Sequence, residues 1–269
     1  MTTSDSALSE KLEFAVAIAR EAGRLTLEYF QQSGLQVDRK ADRSPVTAAD
    51  RAAEQLLRKK IAERYPHDGI VGEEFGEQPG QSGDRWILDP IDGTKSFICG
   101  APLYGTLVGL ERGGRGVIGV IYIPALDECV YAARGQGAWY TQGQGTPKPA
   151  RVSQRSLAEG AFLTSQVDSF AARGADEAFR RLQATAYITR TWGDCYGYLL
   201  VATGRAEAMV DPEMNIWDAA AVQPILEEAG GAYTDWKGEP TIHNREGVGA
   251  NPLALQEVLQ VLRDYPRAS

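Results

Sequence analysis

The start of the chain has the apolar pattern of helices. Between residues 7 and 32, apolar side chains recur every three or four positions, which predicts an amphipathic helix that ends before Gly34. A second helix is predicted from Thr47 to about Arg64, because Thr47 followed by Asp50 is typical of a capping box. The charged residues 37–45 between them form either a solvated connector or a mobile loop that brings Lys40 to an anion.

Short apolar runs in the middle of the chain predict strands. We expect strands at residues 70–72 and 86–89, and an antiparallel meander formed by the runs at 103–110, 117–123 and 129–132. A further apolar run at 138–140 precedes residues 141–149, which are rich in Gly, Gln and Pro and are the best candidate for a change of structural unit.

Beyond this segment, helical and strand patterns alternate, which suggests an α/β layer. Pro224 should kink the helix in which it lies, because it has no N–H to donate. The predicted elements are strands at 162–164, 206–210 and 248–250, and helices at 175–184, 193–204, 216–229 and 252–263.

One short stretch combines several groups suited to phosphate chemistry. The strand at 86–89 is predicted to end at Asp89, where Pro90 stops ladder pairing, and Asp92, Gly93 and Thr94 follow. Carboxylate oxygens suit a hard divalent cation such as Mg²⁺, and backbone N–H groups at a turn entering a helix suit a phosphate. The alternative interpretation is an ordinary Asp-rich turn at the end of a strand.

Composition restricts the class of protein. The 269 residues carry a net charge of −8, which disfavours a nucleic-acid binder because such a protein needs a basic face. Three widely spaced cysteines and two histidines disfavour a disulfide framework and exclude a His-rich zinc site. The N-terminus has no signal-peptide pattern, and no apolar stretch approaches the ~20 residues that span a bilayer. We expect a cytoplasmic protein that binds neither nucleic acid nor membrane.

Two further acidic stretches add to this pattern. Glu73 and Glu74 follow the strand at 70–72, and Asp218 lies at a predicted helix start. Taken singly, the glutamates could be loop acids and Asp218 could favour the helix dipole. Together, Gly-Glu-Glu at 72–74, Asp-Pro-Ile-Asp-Gly-Thr at 89–94 and Trp-Asp-Ala-Ala-Ala at 217–221 resemble the inositol monophosphatase family of Mg²⁺-dependent phosphomonoesterases.

The resemblance implies a fold and an assembly. The expected fold class is α/β (α+β), a layered αβαβα sandwich. It comprises an N-terminal α+β part, residues 1–145, with most of the metal ligands, and a C-terminal α/β part, residues 146–269. A homodimer that acts on a small phosphate ester is implied as well. The implied ligands of two or three Mg²⁺ ions are Glu73, Asp89, the carbonyl of Ile91, Asp92 and Asp218.

Other positions take implied roles in binding and catalysis. The backbone of Gly93 and Thr94 would bind the phosphate, and the side chains of Asp50 and Thr94 would orient the attacking water. A basic residue of the 37–45 loop would approach the site, either Lys40 or, from its spacing to Asp50, Arg39. No Ser or Cys nucleophile is needed, because metal ions neutralise the phosphate and activate water.

The substrate is suggested by the stretch Arg190–Tyr198. Its pattern Arg-x-Trp-Gly-Asp-x-x-x-Tyr, followed by the acid-Pro-Glu segment at 211–213, looks like the histidinol-phosphatase branch of the family, in which Asp194 and Asp211 would suit a cationic leaving group. Alternatively, Asp194 caps a helix and Asp211 sits in a turn before Pro212. Inositol monophosphate or a sugar phosphate is the competing substrate. A non-catalytic metal- or phosphate-sensing module would require the loss of one of these site residues, and all of them are present.

Overall fold

The computed structural model describes residues 3–34, 36–40 and 44–268. Helix α1 (Thr3–Leu27) and helix α2 (Ala48–Arg64) come first, with a small antiparallel hairpin of β1 (Val37–Arg39) and β2 (Pro45–Thr47) between them. Residues 41–43 of the predicted charged loop lie outside the described residues. None of the described helices combines the length and apolarity needed to cross a membrane.

An eight-stranded sheet forms the first half of the molecule. Its strand order is β10-β9-β8-β7-β6-β5-β3-β4, and all neighbours are antiparallel except β3 and β5, which run parallel. The predicted meander is confirmed as β6 to β9. The strands are β3 (Gly69–Gly72), β4 (Gly76–Gln78), β5 (Asp84–Asp92), β6 (Gly105–Arg112), β7 (Arg115–Ile123), β8 (Glu128–Ala133), β9 (Ala138–Gln142) and β10 (Lys148–Pro149).

A second, five-stranded sheet follows in the order β12-β11-β13-β15-β14, with β11 parallel to both of its neighbours. Its strands are β11 (Ala161–Leu163), β12 (Ile188–Arg190), β13 (Ala208–Asp211), β14 (Ala232–Thr234) and β15 (Gly247–Ala250). The remaining helices are α3 (Thr94–Ile98), α4 (Asp168–Ala172), α5 (Asp176–Thr185), α6 (Cys195–Ala202), α7 (Ile216–Ala219), α8 (Val222–Glu228) and α9 (Pro252–Leu262).

Three apolar cores place these elements in five layers. Helices α1 and α2 pack on one face of the large sheet, where Leu57, Leu88 and Val108 belong to one buried apolar cluster. Helices α6 and α8 lie between the two sheets, and α5 and α9 cover the far face of the small sheet. Because alternate residues of a strand point to opposite faces, each buried sheet serves two cores. The predicted αβαβα sandwich is confirmed, whereas the division at residues 145 and 146 stays a prediction.

One predicted boundary near the centre of the chain was wrong. Strand β5 does not end at Asp89 but continues through Pro90 to Asp92, with an irregular register against β6 between the two aspartates. The Thr106 hydroxyl donates to the Pro90 carbonyl at 2.9 Å, which supports the strand beyond the proline. Pro90 therefore disrupts regular pairing but does not end the strand.

Helix boundaries also differ from the predictions. Helix α1 ends at Leu27, not near Gly34, because tighter three-residue turns follow and Gln31 adopts φ 58°. The predicted helix at 216–229 is two helices, α7 and α8. Its predicted distortion is confirmed: Pro224 cannot donate a hydrogen bond to the carbonyl of Ala220, where α7 ends.

Candidate active site

Three carboxylates converge where the end of β5 meets the start of α7. Oxygens of Asp89, Asp92 and Asp218 all lie within 4.8 Å of one another. Asp89 is buried, and the other two are half-buried. The irregular register after Asp89 matters here, because a regular strand would point residues 89 and 92 to opposite faces.

Backbone donors hold each of these carboxylates in place. The N–H of Ile91 donates to Asp89 at 3.1 Å, and that of Cys195 to Asp92 at 2.5 Å. The N–H of Asn215 donates to Asp218 at 2.7 Å in a capping box at the start of α7. Three different segments therefore position the acids. Neutral N–H donors fix their orientation while leaving most of the negative charge without a cation.

The electrostatics of this cluster favour a bound cation. Burial raises the pKa of Asp89 and of Asp92 well above the usual range, and repulsion from neighbouring carboxylates adds to the shift. Burial, together with repulsion from Glu73 and Asp194, raises the pKa of Asp218 to about 7. Crowded, buried oxygens are the donor set that a hard divalent metal ion takes, so the residues present fit a metal site.

Glu73 lies beside this cluster and is bound to a lysine. The N–H of Glu73 donates to the Leu88 carbonyl of β5, and its carboxylate lies 2.7 Å from the ammonium of Lys40. Lys40 also binds Glu74 at 2.6 Å, and these two acids raise its pKa although burial alone would lower it. Arg39 is exposed. Of the two basic candidates, the structure brings Lys40 to the glutamates.

Glu54 was missed by the sequence reasoning. This fully buried residue of α2 accepts the N–H of Glu74 at 2.7 Å and that of Phe75 at 3.2 Å, and it pairs with Arg58 at 2.7 Å. It thereby holds the turn that carries Glu73. The available signal was the row Asp50, Glu54, Arg58, since residues four apart share one helix face.

Asp50 and Thr94 lie at the starts of α2 and α3. One oxygen of Asp50 accepts both the N–H and the hydroxyl of Thr47, at 2.8 and 2.6 Å, so the capping box is confirmed. The other oxygen is buried without a hydrogen-bond partner. The Thr94 hydroxyl donates to the Ile91 carbonyl at 3.1 Å. An unpartnered buried carboxylate oxygen is costly, and it leaves an acceptor for a water or ligand.

Gly93 lies against Asp194. Gly93 has φ 85°, and a Cβ added to it would lie 2.7 Å from a carboxylate oxygen of Asp194. Asp194 itself has φ 50° and makes no side-chain capping bond to α6. The capping alternative for Asp194 is therefore wrong. The carboxylate faces the turn that precedes α3 instead.

Asp211 is more enclosed than Asp194. It is the last residue of β13, so the turn alternative is wrong for this residue. Its carboxylate accepts the Ser165 N–H at 2.9 Å, the Tyr198 hydroxyl at 2.9 Å and the Thr164 hydroxyl at 3.4 Å. Burial raises the pKa of Asp211, and these donors oppose the shift.

A pocket of about 290 Å³ is lined by residues of the carboxylate cluster and also by Asp194 and Asp211. The members of the cluster in this lining are Asp92 and Asp218. Sequence reasoning did not single out other lining residues, which come from segments far apart in the chain. They include Ser44, Lys95, Ser165, Gln166 and Ser169. Among the described residues, Lys95 is the only lysine or arginine in this lining, so the pocket suits a ligand that carries positive charge.

Comparison with known proteins gives a consistent result. The model of the inositol monophosphatase family matches residues 7–267. A histidinol-phosphatase of Chlorobaculum parvum is 45% identical over 91% of this chain and 93% of its own length. A histidinol-phosphatase of Mycobacterium tuberculosis is 38% identical over 93% of this chain and 96% of its own length.

The fold is also similar to a solved structure. An inositol monophosphatase from Zymomonas mobilis superimposes with a TM-score of 0.83 at 31% identity, and the match covers 95% of this chain and 98% of that one. The similarity therefore includes both sheets and all the helical layers.

Proposed function

Since the chain belongs to the inositol monophosphatase family and is a phosphoric monoester hydrolase, we propose that it hydrolyses L-histidinol phosphate to L-histidinol and phosphate with Mg²⁺. The observation that carries this choice of substrate is the similarity to two histidinol-phosphatases over nearly their whole length. The acidic lining of the pocket supports it, because histidinol carries an ammonium and an imidazole whereas inositol offers only hydroxyls.

The metal ligands proposed for two or three Mg²⁺ ions are Glu73, Asp89, the Ile91 carbonyl, Asp92 and Asp218. When bound, Mg²⁺ neutralises the phosphate charge and lowers the pKa of a coordinated water. The backbone donors that fix the aspartates support this assignment, because they orient the oxygens without removing their charge. The pairing of Lys40 with Glu73 supports a role for Lys40 in balancing charge at the edge of the site.

The remaining residues would position the reactants. The N–H groups of Gly93 and Thr94 would bind phosphate oxygens, and the side-chain oxygens of Asp50 and Thr94 would orient the attacking water by accepting hydrogen bonds from it. The unpartnered oxygen of Asp50 supports this role. Asp194, beside Gly93, would hold the substrate ammonium, and Asp211 would add negative charge to the same pocket.

Phosphate release tests the substrate and the metal together. We expect turnover of histidinol phosphate to exceed that of inositol 1-phosphate, fructose 1,6-bisphosphate and 3′-phosphoadenosine 5′-phosphate, and to stop in excess chelator. Full turnover with chelator would overturn the metal assignment. No release from any ester, with metal present, would favour a non-catalytic sensing module instead.

Inositol monophosphate is the second candidate substrate, favoured by the structural similarity to the Zymomonas mobilis inositol monophosphatase. Asp194→Asn and Asp211→Asn separate the two. A charge-assisted hydrogen bond contributes about 1.5–3 kcal/mol, so each variant should lose on the order of 10- to 150-fold in kcat/KM with histidinol phosphate. Glycerol 2-phosphate, which has no cation, should be hydrolysed as before. Equal loss on both esters would move inositol monophosphate to first place.

We also propose that the protein is a cytoplasmic homodimer. Family resemblance supports the dimer, and an odd number of free cysteines supports a reducing compartment. Light scattering of the purified chain at several concentrations measures the assembly directly, and a monomer at micromolar concentration would contradict the proposal.

A further inference from the structure

Glu213 is an acid at the pocket that no role above uses. It lies in the turn between Asp211 and α7 and lines the same cavity as Asp92 and Asp194. Its side chain is 72% exposed and pairs with Arg245 at 3.6 Å. The Arg245 side chain is itself 54% exposed, and such a pair contributes little in water.

The backbone around Glu213 is held in place, whereas its side chain is mostly exposed. The Pro212 carbonyl accepts the guanidinium of Arg173 at 3.2 Å, and the Met214 N–H donates to the Arg245 carbonyl at 3.0 Å. Arg173 is anchored in turn, because it stacks on Trp236 at 3.6 Å and pairs with buried Glu246. Glu213 is therefore an exposed carboxylate of the pocket lining, on a backbone that neighbouring segments hold in place.

Three acids of the pocket lining, Asp194, Asp211 and Glu213, differ in how much of their charge is available to a ligand. Asp211 already accepts three hydrogen bonds inside the protein. Asp194 lies beside Gly93, where the phosphate is proposed to bind. In histidinol phosphate the ammonium is two carbons from the ester oxygen and the imidazole is farther away. Asp194 therefore suits the ammonium, which leaves the imidazole for a more exposed acid of the lining, such as Glu213.

We propose that Glu213 binds the imidazole of the substrate, exchanging its contact with Arg245 for an N–H of the ring. This inference rests on the proposed function, since it presupposes histidinol phosphate. A ring N–H donates to a carboxylate in either charge state of the imidazole, and the bond is stronger when the ring is protonated. Glu213 would thus recognise the part of the substrate that takes no part in the chemistry.

The test is Glu213→Gln in the Mg²⁺-loaded enzyme. We expect KM for histidinol phosphate to rise on the order of tenfold with little change in kcat, because the contact forms in both the ground state and the transition state. Phenylalaninol phosphate, which keeps the ammonium but has no ring nitrogen, should show no change. Asp194→Asn should impair both substrates.

Glu177→Gln is the matched control. Glu177 is 66% exposed and pairs with Arg180 at 3.4 Å, but it lies on α5 and does not line the pocket. It should leave every KM unchanged. Arg245→Gln should lower KM for histidinol phosphate by about two- to fivefold, because it removes the competing cation.

Binding of L-histidinol by calorimetry gives a readout independent of turnover, and its Kd should rise with Glu213→Gln to the same extent. An unchanged KM and Kd, or an equal loss with phenylalaninol phosphate, would overturn the role of Glu213. A wild-type enzyme with no preference for histidinol phosphate over inositol 1-phosphate would instead overturn the proposed function.

Discussion

The carboxylate of Asp50 has two environments. One oxygen caps α2 through Thr47, and the other is buried without a partner. Burial raises the pKa of this carboxyl, while its bonds to Thr47 oppose the shift. The structural role and the proposed catalytic role therefore use different oxygens, so they can be separated by a substitution that keeps one oxygen.

Asp50→Asn keeps one oxygen for the cap but weakens the acceptor proposed to orient water. We expect kcat to fall at least about 100-fold, as for the loss of a general acid–base group, with unfolding free energy changed by less than about 1 kcal/mol. Steady-state phosphate release and thermal unfolding measure the two effects. A lower melting temperature with kcat retained would leave only the capping role.

At position 93, both the backbone conformation and the lack of space disfavour any side chain. Gly93→Ala should abolish most turnover, because the new methyl group would strike Asp194 and the left-handed backbone already costs a non-glycine residue about 1–2 kcal/mol. Gly230→Ala is the control, since Gly230 has φ 87° but no atom within 4 Å of an added Cβ. Gly230→Ala should lower the free energy of unfolding by a similar amount, because of its left-handed backbone, and should keep its activity. Similar kcat values for the two variants would contradict the phosphate-binding role of this turn.

At the scale of elements, the site depends on how α2 and β3 meet. Gly72 ends β3, and a Cβ added to it would overlap the carboxylate of Glu54 on α2. This close approach lets Glu54 reach the backbone N–H groups of Glu74 and Phe75. The carboxylate of Glu54 thus fixes the turn at Glu74 and Phe75. Glu73, which directly precedes Glu74, is a proposed metal ligand.

Glu54→Gln should loosen this turn. A glutamine keeps one acceptor but loses the charge that binds Arg58 and two N–H donors, so we expect about 1–3 kcal/mol less stability. The Mg²⁺ concentration for half-maximal activity should rise several-fold, because Glu73 is less well placed. Urea unfolding and metal titration of activity measure both effects. Glu63→Gln, an exposed change on the same helix, should alter neither, and an unchanged metal requirement in Glu54→Gln would show that the turn is held without it.

At the scale of the whole molecule, the two sheets and the helices between them enclose an acidic centre. Burial dominates the raised pKa values of Asp89, Asp92 and Asp218, and these residues come from parts of the chain more than 120 positions apart. Folding therefore brings like charges together in a poorly solvated place. The cost falls on the metal-free protein, and a divalent cation removes it.

This arrangement predicts how stability depends on pH. The folded pKa of Asp218 is raised from 3.8 to about 7, so the folded state binds more protons between these values and metal-free stability falls as pH rises through that window. Burial likewise raises the pKa of Glu74 to about 7. We expect the melting temperature of chelator-treated protein to drop by roughly 4 °C or more from pH 5 to pH 8.

Addition of Mg²⁺ at pH 8 should recover most of that loss. Scanning calorimetry across this range measures it, with Asp218→Asn as the comparison, because removal of one buried charge should flatten the pH dependence of the metal-free protein. A metal-free melting temperature that rose from pH 5 to pH 8 would contradict the account of the cluster.

The sequence by itself determined the features that depend on local pattern. Apolar spacing located α1, the meander and most elements of the second half, because the faces that a strand or helix buries leave a period in the sequence. The motifs at 72–74, 89–94 and 217–221 marked the acids that lie at the centre, and the pair Thr47 and Asp50 gave the cap of α2. The motif order also indicated the αβαβα fold through family resemblance.

Only the tertiary structure decided the features that depend on distant neighbours. The choice between Lys40 and Arg39, the support of the Glu73 turn by Glu54, and the N–H of Cys195 that holds Asp92 all join segments remote in sequence. The extension of β5 through Pro90 depended on a hydroxyl from β6. The different environments of Asp211 and Glu213, two residues apart, have the same origin. Burial and hydrogen bonding are set by what packs against a residue, and a local pattern does not contain that information.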